Sequence, residues 1–171
     1  MQSLVSVKVA VQPSFKALAV RTSVDTSKSG TREAWRILEE QLQAGDPRRV
    51  NSDTAYVFIP QKEWAEGVQT LWVGLAVHEF GEVPPKLEPL TIPETLCATV
   101  RVHGGEAHMN EAYDAMFWWL QESEEYELNT GQGVLGIEAN RLSPVNPFVI
   151  PYSQMDLFDY DMLYPIRKRR N

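Results

Sequence analysis

The sequence predicts an α+β fold in which a duplicated βαββ unit builds an antiparallel sheet, with two main helices on one face. Three observations carry this: two amphipathic helical stripes, seven β-type runs around them, and an internal repeat that sets both in the same order. The 171 residues are read as one domain, 1–171, with halves at about 1–80 and 87–171.

The first helix is expected over residues 31–44, where Ala34, Trp35, Leu38 and Leu42 recur at helical spacing and Gly45 and Pro47 supply the stop. The second is expected over 105–122, with Met109, Ala112, Tyr113, Met116 and Leu120 on one stripe. Trp118 falls on the opposite side of that helix and should be exposed unless a dimer contact or a loop covers it. Strands are expected at 4–11, 16–24, 54–60, 69–79, 95–103, 134–142 and 158–167, separated by turn-rich stretches such as IPQKEWAEG and SPVNPFVIPYSQ.

The repeat pairs PSFKALAVR (13–21) with PETLCATVR (93–101), then EAWRILEEQLQ (33–43) with EAYDAMFWWLQ (111–121). Pro13, Val20 and Arg21 match Pro93, Val100 and Arg101, and Trp35 meets Tyr113. Amphipathic helices look alike, so either alignment alone carries little. Both in one order, at nearly one offset, make each half a strand, a helix and two further strands.

Side chains alternate between the faces of a strand, so each run divides into two sets. Leu71, Val73, Leu75 and Val77 form an aliphatic set, as do Ala55, Val57 and Ile59, and Leu135 with Ile137. These suit packing against helices. The opposite sets gather Tyr56, Phe58, Trp72, Gly74, Ala76, Gly136 and Glu138. Small residues beside large aromatics leave room for a ligand, whereas a solvated face would be rich in Lys, Thr and Glu. Glu138, an acid in the middle of a β-run, then has two readings. In a groove it loses hydration and attracts a cation, with aromatic walls adding cation–π attraction. At the rim it is salt-bridged or solvated, and the aromatics form a second minor core.

Composition narrows the function classes. With 43% apolar and 23% charged residues the chain should fold, and no apolar run approaches the roughly 20 residues of a membrane span. One cysteine, Cys97, allows no internal disulfide and fits a reducing cytoplasm, and the N-terminus lacks a signal-peptide pattern. A net charge of −7 disfavours nucleic acid; the terminal RKRR (167–170) reads as a solvated tail. GQGVLG (131–136) matches a dinucleotide fingerprint but stands between a helix and a strand, the wrong context for it. His78, His103 and His108 lack metal-ligand spacing, so neither metal nor cofactor is expected.

The runs LWVGLAV (71–77), LEPLTIPETLCATVRVHGG (87–105), EAYDAMFWWL (111–120), GIEANRL (136–142) and DMLYPIRK (161–168) span nearly the whole chain. In order and spacing they resemble the gyrase-inhibitor-like, or effector-binding, domain found at the C-terminus of AraC-type and MerR-type multidrug regulators. That domain also occurs as stand-alone proteins, some carried in integron gene cassettes. The resemblance implies a duplicated βαββ fold and a central ligand groove between the halves, with aromatic walls and a buried glutamate that recognises lipophilic cations. On matching positions that glutamate is Glu138, the aromatic of the terminal strand is Tyr164, and Trp72 and Tyr56 lie on groove-lining strands. The sequence departs from the family at Thr95, Cys97-Ala98 and Val102-His103-Gly104, where Gly, Tyr-Ala and His-x-Gly are usual; loss of that Tyr alters one potential wall. The domain is expected to take up the whole of the 171 residues, so no helix-turn-helix for DNA is expected within them.

The expected function is therefore binding of small amphipathic, cationic aromatic compounds through Glu138, Trp72, Tyr56, Phe58, Gly74, Gly136 and Tyr164, within drug response or transcriptional regulation. Two alternatives stand beside it: a hydrolase in which Glu138 activates water, and a gyrase-type inhibitor or protein-interaction module using acidic surface. A homodimer or a regulatory protein is the macromolecular partner class to consider.

Overall fold

A computed structural model describes residues 5–24, 29–64 and 66–170. Its elements run β1 (Lys8–Gln12), β2 (Phe15–Ser23), α1 (Ser29–Gln41), β3 (Thr54–Pro60), β4 (Thr70–Val77), β5 (Glu88–Ile92), β6 (Thr95–Gly104), α2 (Glu106–Glu122), β7 (Tyr126–Leu128), β8 (Leu135–Arg141) and β9 (Phe158–Lys168). Both expected helices and all seven expected strands are present, with ends moved by a few residues; residue 4 of the first run lies outside the described residues. Two strands escaped the sequence reading. β5 carries Pro89 within EPLTI, which a central strand would not tolerate, but β5 is an edge strand where the missing N–H costs no ladder bond. β7 is three residues long, too short to show a period.

All pairings are antiparallel, and the strands lie in the order β1-β6-β9-β8-β3-β4-β2-β5, with β7 against the end of β9. The order is a palindrome about the β8–β3 pair. Each half contributes β3-β4-β2 or β8-β9-β6, and each outer edge is supplied by the other half. β1 pairs with β6, and β5 pairs with β2. Prolines explain the exchange. Pro13 and Pro93 stand immediately after β1 and β5, where a fixed φ and a missing N–H end the ladder. The repeating unit is thus ββαββ, one strand longer at its start than the sequence alignment showed.

The helices lie on one face. α1 packs on β2 and β4, burying Ala34, Trp35 and Leu38 against Leu18, Val20, Val73 and Leu75, with Trp35 stacked on Phe148 at 5.4 Å. α2 packs on β6, burying Met109, Ala112, Met116 and Leu120 against Ala98, Val100, Met162 and Ile166. Each such aliphatic side chain contributes about 1.5–3 kcal/mol of burial relative to exposure. The opposite face has its own core of Ala17, Phe58, Ile92 and Ile137, flanked by half-buried Phe15, Tyr56, Trp72, Leu135 and Leu163.

Gly74 belongs to this second face, and it is a point of close approach rather than open space. A Cβ there would stand 2.9 Å from the Ala19 Cβ and 3.0 Å from the Leu18 carbonyl oxygen, so backbone would have to move. Gly74→Ala should therefore destabilise the fold by about 1–3 kcal/mol, read as a lower urea midpoint at unchanged slope. An unchanged midpoint would mean that the site is roomy.

Candidate functional site

Because α1 sits over β2 and β4 and α2 over β6, the central β3–β8 pair has no helix above it. A cavity of about 420 Å³ opens there. The first half of the chain lines it with Val24, Val57, Ile59, Trp64, Val68 and Leu71, and the second half with Tyr113, Phe117, Glu138 and Tyr164. Val57 and Glu138 are direct partners across the β3–β8 ladder, so both side chains rise from the same face into the same space.

Glu138 is half-buried and sits among phenols. The Tyr113 hydroxyl, from α2, donates to Glu138 Oε2 at 2.5 Å, the Tyr160 hydroxyl donates to that of Tyr113 at 3.0 Å, and the Tyr164 hydroxyl stands 3.4 Å from the same carboxylate oxygen. Tyr160, Met162 and Tyr164 alternate on β9, which brings both tyrosines to the helix-facing side. Burial first, and then the neighbouring Glu138 charge, push the Tyr113, Tyr160 and Tyr164 phenols well above their ordinary pKa. All three remain protonated donors across ordinary pH.

The aromatic wall comes from a turn. After β3 a short 3₁₀ segment, Gln61–Glu63, carries the chain into Trp64, whose ring meets Tyr164 edge-on at 4.3 Å and Phe117 at 6.3 Å. The turn is pinned to the other half of the molecule. The Gln61 backbone N–H donates to Val134 O at 3.0 Å, and its Nε2 donates to Asn129 O at 2.7 Å and Pro165 O at 3.0 Å. Gly136 makes this possible, since a Cβ there would meet Gln61 Oε1 at 3.0 Å.

The structure brings Glu138 and Tyr164 together in the cavity and puts the other candidates elsewhere. Tyr56, Phe58, Trp72 and Gly74 lie on the opposite face of the sheet. Phe58 is fully buried, and the Trp72 indole N–H donates to Glu88 Oε2 at 3.1 Å beneath the Arg21 guanidinium. Gly136 shares the Glu138 face but lies under Gln61 rather than in the lining. Grouping Glu138 with Trp72, Tyr56 and Phe58 is therefore corrected by the register: sets matched by chemistry need not share a face, and here Glu138 stands opposite aliphatic Val57 while Ile137 stands opposite Phe58. Sequence reasoning missed the rest of the lining, its aromatic members Tyr113, Phe117 and Trp64 above all. Tyr113 belongs to the helical stripe, which Phe117 one turn later extends toward the cavity; Trp64 lies in a turn, where no periodicity could mark it. As expected, Trp118 is exposed. Among the described residues no acidic, histidine or cysteine cluster is placed to hold a metal, and no helix is long and apolar enough to cross a membrane.

This architecture belongs to a class of α+β domains already seen in solved structures. The C-terminal domain of EcmrR superposes with a TM-score of 0.73 over 98% of this chain and all of that domain, at 16% identity. EcmrR in its DNA complex within EcmrR-RPo gives 0.74 at 17% identity, covering 97% of this chain; the chain spans 59% of that protein's length. SAV2435 bound to tetraphenylphosphonium gives 0.61 at 7% identity, covering 95% of this chain and 94% of SAV2435. No protein-family profile and no curated protein matches the sequence. At these identities the likeness establishes the fold.

The phenol shifts carry a pH consequence. An unfolded phenol loses its proton near the ordinary value of 10.0, whereas the folded protein retains these three, so the folded state binds more protons above that value. Stability should be level through neutral pH and fall as pH rises beyond about 10, measured by urea unfolding at successive pH values. Tyr113→Phe should reduce that alkaline loss while costing about 1–3 kcal/mol at neutral pH, because the Glu138 carboxylate loses a donor.

Proposed function

We propose that the cavity binds an organic cation with a large apolar body, its charged end toward Glu138, and that the chain acts as an effector- or drug-binding protein. The observation that carries this reading is the division of the walls. A carboxylate with its phenol donors occupies one side, and Val24, Val57, Ile59 and Leu71 occupy the other. Such a site suits an amphipathic ligand better than a uniformly polar or uniformly apolar one. Trp64 and Phe117 also line the cavity, where each well-placed ring would add about 0.5–2 kcal/mol of cation–π attraction. The tetraphenylphosphonium bound by SAV2435, a lipophilic cation on the same fold, supports this ligand class.

Titration with tetraphenylphosphonium and a neutral triaryl compound of similar size, followed by tryptophan fluorescence and calorimetry, tests the reading. Glu138→Gln should weaken the cation about tenfold or more, roughly 1.4 kcal/mol, and leave the neutral compound nearly unchanged. Equal weakening of both ligands, or none of either, would remove Glu138 from recognition. Trp64→Ala should weaken both ligands, since it deletes a wall that both would touch.

A further inference from the structure

The outer side of α2 turns Trp118 to solvent at 63% exposure, beside Phe117 at 53%. Among the described residues they are the aromatics of the exposed large hydrophobics; the others are valines spread over the surface. Phe117 also lines the cavity, but Trp118 does not. Helical spacing surrounds Trp118 with acids: Glu111 and Asp114 lie two turns and one turn before it, and Glu122 one turn after it, all exposed. None of these three joins an ion pair among the described residues, and α2 contains neither Lys nor Arg. The cation at the end of the helix is already engaged, since Arg169 donates to the Leu120 and Ser123 carbonyls.

An aromatic centre ringed by carboxylates has a definite complement, because interfaces join a desolvated apolar core to a rim of opposite charge. Nucleic acid and anionic lipid surfaces carry the same sign as this rim and are repelled by it. A second copy presenting the same helix face would set Asp114 and Glu111 against their own counterparts, which is equally unfavourable. We infer that this face of α2 docks a basic amphipathic segment of a partner polypeptide, with apolar side chains on Trp118 and Phe117 and Lys or Arg against Glu111, Asp114 and Glu122. The inference does not depend on what the cavity binds.

The test uses the whole chain and a synthetic helical peptide with leucines along one stripe and lysines elsewhere, together with a scrambled peptide of the same charge. Binding is measured by fluorescence anisotropy of the labelled peptide, and sedimentation reports the state of the protein. The patterned peptide should bind saturably and more tightly than the scrambled one. Trp118→Ala, and separately Glu111→Gln with Asp114→Asn and Glu122→Gln, should each weaken it about tenfold. Neutralising three exposed acids elsewhere, Glu79, Glu82 and Glu94, should change it less than about twofold. Equal loss in both neutralised variants would reduce the effect to net charge and overturn the inference. So would indifference to Trp118→Ala, or self-association that Trp118→Ala abolishes, which would make a second copy the occupant.

Discussion

The pairing of β3 with β8, with Val57 opposite Glu138, is the contact on which the rest depends. It joins the two halves, it is the centre of the palindromic strand order, and it decides which way the carboxylate points. Side chains on a strand have a period of two, so a slip of one residue would turn Glu138 to the far side and point Ile137 into the cavity instead. The register is held from both ends. Aliphatic Val57 and aromatic Phe58 must each stay on their own face, and beyond the ladder the Gln61 amide ties the end of β3 to the loop before β8 and to β9.

The position of the cavity follows from widths. Eight strands at about 4.8 Å spacing make a sheet roughly 34 Å across, while two helices of about 10 Å each cover little more than half of it. Each helix is drawn to the strands of its own half, α1 to β2 and β4 and α2 to β6. The uncovered strip then falls over the central pair, where the halves meet. Side chains from both halves project into that space at the junction.

Much of this was legible in the sequence, and the rest was hidden for physical reasons. The helices declared themselves because Leu38, Leu42, Met109 and Met116 recur at a period that only a helix turns to one side. The repeat gave the pseudo-symmetry, since Pro13 and Pro93 and the paired helix starts fall at nearly one offset. Glu138 stood out as an acid within a β-run. Which strand it would pair with, and in what register, is a long-range outcome with no local signature, and so the aromatic face was assigned to it wrongly. Trp64 was invisible for another reason: its position comes from one buried amide, Gln61, whose partners Asn129 and Pro165 lie far along the chain. β5 was masked by Pro89, which is informative only once the strand is known to be an edge.

The palindrome also shows how one fold can make two unlike walls. With the axis at the Val57–Glu138 pair, the ladders equate Leu71 with Tyr160 and Leu75 with Tyr164, and the repeat equates Trp35 with Tyr113. Three phenols and a carboxylate in one half thus stand where the other half has two leucines, a tryptophan and a valine. The backbone need not differ between them, because each pair of side chains occupies the same place on equivalent elements. What differs is the requirement for partners. Buried leucines require none, whereas buried hydroxyls must find acceptors or cost about 1–3 kcal/mol each, and here Tyr160 leads to Tyr113 and Tyr113 to Glu138. The carboxylate terminates the chain of donors that runs from Tyr160 through Tyr113, and burial keeps those donors protonated. Replacing Glu138 by a hydrocarbon would strand the Tyr113 hydroxyl, so the acid and its phenols are conditions for one another, and the polarity of this wall stands or falls as a unit.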